Sequence, residues 1–204
     1  MKKILLIMLV IVMMFSMAAC GEKQTNDPEQ NNAGETQEAI DIPGVNFVDK
    51  EFGYITISVP DIFGEVEEKE GLYVCAGPAS SIVVTPTLGI DLPFSEWDRS
   101  IAEEYIPIIY GSTYTDLELS VYEGNVDMNG NKAIYYACYG TNSEGVDRLI
   151  QAVRIFNADL NAQYMITLIL TSGDEFFTAE VGGAIINSIK LADSAQHLKA
   201  EGEY

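Results

Sequence analysis

Among the residues able to do chemistry, the motif Asn125-x-Asp127-x-Asn129-Gly130 comes closest to a known ligand set. It echoes the first half of a calcium loop, which needs an acid at its first position and a bidentate Glu at its twelfth. Asn125 and Tyr136 stand at those places. Asn129-Gly130 is better read as the two-residue turn of a hairpin, for which Asn-Gly is the strongest short signal. His197 is the one histidine and lies in the polar tail. Cys75 and Cys138 have no nearby His or Cys companion, so a zinc site lacks ligands. The two cysteines are either a disulfide or two buried thiols acting as small hydrophobes, and a core of this size favours the thiols.

Nucleophilic catalysis needs a Ser or Cys beside a positioned base. Gly140-Thr-Asn-Ser143-Glu-Gly145 approaches the nucleophile-elbow pattern, but the leading glycine is one residue too far and the segment joins two strands. A carboxylate pair of the glycosidase kind cannot be picked out among 31 acids. Glu65, Glu67, Glu68 and Glu70 read as an exposed strand edge protected by charge. Seven of the 11 tyrosines lie between Tyr105 and Tyr139. Tyrosine suits strands, and it also suits recognition surfaces, where an apolar ring ends in a polar tip. Tyr110 and Tyr114, with Ile108 and Ile109, sit in the connection Ile106–Asp116 and form the candidate binding residues; the competing reading tucks this segment into the domain.

The elements that must position these residues occupy Leu117–Leu191. Strands are expected at Leu117–Val126, Lys132–Tyr139, Arg148–Phe156 and Gln163–Thr171, followed by a helix over Asp174–Lys190. Phe177, Val181, Ile185 and Ile189 recur every four residues, with Phe176 widening the stripe, and Ser172 and Glu175 have capping-box spacing. Both faces of Tyr164–Thr171 are uncharged, so that strand is expected to be central. Earlier, Val45–Val48, Tyr54–Pro60, Leu72–Ala76 and Ile82–Thr85 read as strands. A helix capped by Ser95 carries Phe94, Trp97, Ile101 and Tyr105 near one stripe, and Ile106-Pro107 is expected to end it. The expected class is α+β: an antiparallel meander flanked by helices on both faces.

At the start of the chain, Lys2 and Lys3 precede the apolar run Ile4–Ala19, shorter than the roughly 20 residues of a comfortable span. Met17-Ala18-Ala19-Cys20 followed by Gly21 resembles the lipobox of bacterial lipoproteins, with Met17 where leucine is usual. The alternative is an ordinary secretory leader. The resemblance implies a signal peptide over residues 1–19, a diacylglyceryl group on Cys20, and anchorage of the domain to the extracytoplasmic face of a bacterial cell membrane. Two acyl chains give stable attachment without a spanning helix. Residues 20–41 then form a polar tether, 42–192 one α+β domain and 193–204 a polar tail. Removing Met1–Ala19 takes away two of 11 basic residues and none of the 31 acids, leaving a net charge of −22. Nucleic acid is a poor partner for such a surface.

The phrase Phe52-Gly53-Tyr54-Ile55-Thr56-Ile57-Ser58-Val59-Pro60, then Asn125–Ala133 before a strand meander, then the closing Phe177…Ile185…Ser188-Ile189 helix resemble the PsbP-like and Mog-like group of α/β/α sandwiches. Members of that group act mainly by docking onto other proteins, photosystem subunits in one branch and a small GTPase in another. The resemblance implies a non-enzymatic accessory module with an envelope-protein partner and no cofactor beyond the lipid. The other class of function is an envelope hydrolase or carbohydrate-binding protein using carboxylates and tyrosines.

Overall fold

The computed structural model describes residues 42–88, 92–128, 131–157, 162–172 and 178–191. The leader, Cys20, most of the tether, the Asn129-Gly130 turn, Glu175, Phe176, Phe177, His197 and the C-terminal tail lie outside the described residues. The elements named below fall within Gly44–Tyr204.

Alternation in the second half of the chain does produce a meander. Strands β6 (Tyr114–Met128), β7 (Asn131–Asn142), β8 (Asp147–Asn157) and β9 (Ala162–Thr171) pair antiparallel in sequence order. β5 (Ser80–Leu88) adds to the far side of β9, followed by β4 (Leu72–Ala76) and β3 (Val66–Lys69). β9 is therefore interior, as its uncharged faces require. Tyr164, Ile166, Leu168 and Leu170 are at most 1 % exposed on one face. β3 closes one edge with Glu67, Glu68 and Lys69, charges that discourage a further strand.

A second sheet was not anticipated. β1 (Phe47–Phe52) and β2 (Ile55–Pro60) form a hairpin, and β10 (Lys190–Leu191) pairs with the other side of β2. Ile55, Ile57 and Val59 of β2 are buried. The sheet meets its larger neighbour where Gly53, at φ +65°, turns the hairpin: a Cβ there would stand 2.8 Å from the Tyr73 ring. Only a residue without Cβ adopts that backbone and that approach together.

Both helices are shorter than expected or differently capped. α1 runs Arg99–Tyr110, and its N-cap is Asp98, whose carboxylate accepts from Ile101 N at 3.0 Å. Ser95 lies instead in a 3₁₀ turn, Phe94–Glu96. Pro107 does not end α1. A proline inside a helix costs about 3 kcal/mol, yet burying an aromatic is worth as much. Ile106 and Tyr110 are both buried, and Gly111 N closes the last turn onto Pro107 O. α2 runs Ala179–Asn187, capped by Thr178 Oγ1 accepting from Val181 N. It stops at Ser188, whose hydroxyl accepts from Ser58 N at 2.9 Å and donates to Ile185 O. Lys190 can then leave the helix and join β2.

The expected sandwich of one meander between helical faces is thus corrected: the described residues form a predominantly β structure of two antiparallel sheets. One face of the large sheet carries Tyr135, Gln151 and Leu168. It meets the three-stranded sheet together with α2, whose Gly182 comes so near Gln151 Oε1 that a Cβ would lie at 2.5 Å. The other face carries Tyr136, Cys138, Ile150, Ala152 and Thr167. α1 packs there over β6–β8, while Val74, Val83 and Met165 on the same face are only half-buried.

Two tests follow from the close approaches. Gly53→Ala should cost about 1–3 kcal/mol in chemical denaturation, the scale of backbone strain at one residue. Gly71→Ala, at φ +77° with open space around it, should cost less because it adds strain without a collision.

Candidate docking cleft

Three turns meet at one end of the large sheet. They are Gly77-Pro78-Ala79 between β4 and β5, Gly111–Thr113 between α1 and β6, and the turn after Asn142 between β7 and β8. Antiparallel pairing puts them together, since Ser80 faces Leu170, Arg148 faces Thr171, and Tyr114 faces Asn142. They enclose a cleft of about 390 Å³ with Tyr114, Ser143, Glu144 and Arg148 on its walls and Ile169 in its floor.

The walls are fixed by hydrogen bonds. Asn142 Oδ1 accepts from Glu144 N at 3.1 Å and from Val146 N at 2.9 Å, an Asx turn that presents Ser143 and Glu144 outward. Arg148 Nη1 donates to Ala79 O at 3.1 Å and to Thr171 Oγ1, and Thr171 Oγ1 donates to the same carbonyl at 2.9 Å. One guanidinium thereby ties the β4–β5 turn to β8 and β9. Partial burial raises the Tyr114 hydroxyl above its ordinary value, while the Arg148 charge pulls it back.

The four residues singled out in Ile106–Asp116 do not form one surface. Tyr114 lines the cleft. Tyr110 is 7 % exposed, and its hydroxyl sits 3.1 Å from Thr167 Oγ1 and 3.3 Å from Tyr136 Oη. Ile109 packs half-buried on the same cluster. Ile108 is 75 % exposed and does not line the cleft. Tyr110 is tucked in, Ile109 and Tyr114 pack half-buried on the same cluster with Tyr114 also lining the cleft, and Ile108 is exposed. Arg148 and Asn142 were not singled out in the sequence. Their signal is weak: a polar turn ending in glycine, and one arginine in a strand.

Other candidates fall into place. Cys75 and Cys138 are free and buried. They lie four strand steps apart, roughly 19 Å at about 4.8 Å per step, far beyond disulfide reach. They also point to opposite faces: through the pairing, Cys75 aligns with Leu168 and Cys138 with Ile169. Asn125 and Asp127 belong to strand β6, and Ser143 to a hairpin turn. Among the described residues no group of three or more His, Cys, Asp or Glu could hold a metal ion.

No family model matches the chain, and no curated protein matches it. Its likenesses are to solved structures. The Ran-binding protein Mog1p of Saccharomyces cerevisiae superposes with a TM-score of 0.54 at 14 % identity, over 74 % of this chain and 98 % of that one. The cyanobacterial PsbP (CyanoP) of Synechocystis sp. PCC 6803 gives 0.55 at 11 % identity, over 76 % and 97 %. LpqN of Mycobacterium tuberculosis, described as involved in cell envelope biogenesis, gives 0.44 at 12 % identity, over 73 % and 92 %. The folded part of the chain has the PsbP/Mog-like fold.

The buried hydroxyls and thiol give a pH prediction. Desolvation pushes Tyr135 up to about 12, against a smaller lowering by the Gln151 hydrogen bond, and desolvation pushes Cys138 up to about 12. Both are raised above their unfolded values, near 10 and about 8.5. Their contribution is whole below the unfolded values and is lost as pH rises through the folded ones. The denaturation midpoint should fall steadily from about pH 9 to pH 12. A flat profile over that window would show these groups to be hydrated in the folded state.

Tyr110→Phe removes a hydroxyl shared by Tyr136 and Thr167 and should cost about 1–3 kcal/mol, the scale for stranding buried polar partners. Tyr110→Ala should cost about 3–5 kcal/mol. Thermal melts of the two variants check both figures.

Proposed function

We propose that this chain is an extracytoplasmic lipoprotein, anchored to the bilayer through a diacylglyceryl group on Cys20. Its folded domain is a non-enzymatic accessory module that docks onto another envelope protein through the cleft at Tyr114 and Arg148. The observation that carries the docking reading is the cleft's construction. Arg148 ties the β4–β5 turn to β8 and β9, and Asn142 fixes its own turn and pairs with Tyr114, so an apolar ring, a cation and small hydroxyls are presented together on the rim. A preorganised rim binds with less ordering entropy than a mobile loop. The fold supports the reading, since the structurally similar Mog1p is a Ran-binding protein, although fold alone does not set function. Among the described residues no helix is long and apolar enough to cross a membrane, so attachment in this reading rests on Cys20.

Two experiments separate the parts. Radiolabelled palmitate should enter the wild type and not Cys20→Ala; equal label in both rejects the anchor. A photo-crosslinking residue at Ser143 should capture one discrete envelope protein in intact cells, and one at Glu51, exposed on the small sheet, should not. Capture from both positions alike, or from neither, rejects docking at this cleft. Tyr114→Ala should weaken the Ser143 capture at least about tenfold, the loss of roughly 1.4 kcal/mol, in the still-folded variant, whose melting temperature falls because Tyr114 also packs half-buried on the core cluster.

A further inference from the structure

Away from the cleft, the α1-covered face holds a guanidinium in an unusual position. Arg154 is 7 % exposed, and among the described residues no carboxylate lies within ion-pair distance of it. Its planar group sits 4.5 Å from the centroid of the Trp97 ring and 5.7 Å from that of Tyr105. Nη1 donates to Gln163 Oε1 at 3.2 Å, and Nε has no acceptor. Among the described residues, Nη2 reaches only the thioether sulfur of Met165, at 3.8 Å. The Tyr136 hydroxyl donates to that same sulfur at 3.9 Å. A thioether is a weak acceptor, and a buried donor without a good acceptor is costly. Met165 faces Arg154 across the β8–β9 ladder and is half-buried, so part of its side chain meets solvent.

Two donors thus converge on one sulfur, and one of them is a cation for which the described residues offer no anion. We propose that Met165 is an oxidation site, converted by a two-electron oxidant such as hydrogen peroxide to a sulfoxide that Arg154 and Tyr136 hold in place. A sulfur lone pair attacks one peroxide oxygen, the S–O bond forms and the O–O bond breaks. The departing hydroxide takes up the proton from the transferred oxygen and leaves as water, so sulfur loses the two electrons that the peroxide gains. The new oxygen is a strong acceptor with partial negative charge. With donors 3.8–3.9 Å from the sulfur, an S–O bond angled away from the sulfur–donor lines puts the new oxygen within ordinary hydrogen-bond reach of them. Methionine oxidation in a core ordinarily disrupts packing because a polar group arrives without partners. Here the partners precede it, and reduction by a thiol-dependent sulfoxide reductase restores the thioether.

The chain suits a direct test, because Met128 and Met165 are the only methionines after Met17 and Met128 is 5 % exposed. The folded protein is treated with hydrogen peroxide, mapped by peptide mass spectrometry and melted. The expected result is one added oxygen on Met165 ahead of Met128, with a melting temperature equal to or above that of the reduced protein. In Arg154→Lys, which keeps the charge and loses the fork, the same oxidation should lower the melting temperature by at least about 3 °C. A second comparison needs no oxidant. Met165→Gln supplies a carbonyl oxygen where the sulfoxide oxygen would be, and Met165→Leu supplies none, so the Gln variant should melt higher. Oxidation of Met165 only after unfolding overturns the proposal. So does an oxidised wild type that loses as much stability as oxidised Arg154→Lys, or a Leu variant that melts at or above the Gln variant.

Discussion

The register of β9 between β5 and β8 is the constraint on which the rest of the structure depends. Side chains alternate with period two, so a slip of one residue would exchange Ile166, Leu168 and Leu170 with Met165, Thr167 and Ile169. The first set is buried on the face shared with the three-stranded sheet and α2. The second set includes Thr167, whose hydroxyl meets Tyr110, and Met165, whose sulfur meets Arg154. A slipped register would bury the polar group on the wrong side and strand both partners. The same pairing sets Arg148 opposite Thr171 and so aligns the turns that make the cleft.

The meander was legible because its signals are local. Asn129-Gly130, the alternation in Leu117–Val126 and the uncharged faces of Tyr164–Thr171 each report on neighbours in sequence. The second sheet was not, because what makes it is remote. Tyr54–Pro60 reads as a strand with no sign of which sheet it joins, and nothing near Lys190 announces a strand of two residues pairing with Thr56 and Ile55. The apolar stripe around Val181 and Ile185 marked α2 correctly, but its end is set by Ser188 bonding Ser58, 130 residues away. Pro107 misled for a related reason: a local rule against proline is outweighed by where Ile106 and Tyr110 are buried.

The site was legible in part. Tyr114 was singled out with Tyr110 because both flank a Gly-Ser-Thr turn, and the structure places them differently. Tyr110 is the last residue of α1 and points inward to hydroxyl partners, whereas Tyr114 opens β6 and faces the cleft. Their spacing of four residues says nothing of this, since a helix ends and a strand begins between them. Arg148 could not be singled out, because its role depends on the carbonyl of Ala79, a residue 69 positions earlier.

Arg148 and Arg154 show how one strand puts the same side chain to two uses. Both lie on the same face of β8, six residues or roughly 20 Å apart at about 3.3 Å per residue. In a chain whose acids outnumber its bases by 20, neither pairs with a carboxylate among the described residues. Arg148 is half-buried at the sheet's end and spends Nη1 on a carbonyl and a hydroxyl, where water can solvate the rest of its fork. Arg154 is enclosed, so its charge rests on two aromatic rings, an amide and a sulfur. Desolvation makes the difference between them. A partly solvated guanidinium can leave its remaining donors to water, whereas an enclosed one with soft partners lacks a full set of good acceptors. Position along one strand, and not residue type, decides which of these an arginine becomes.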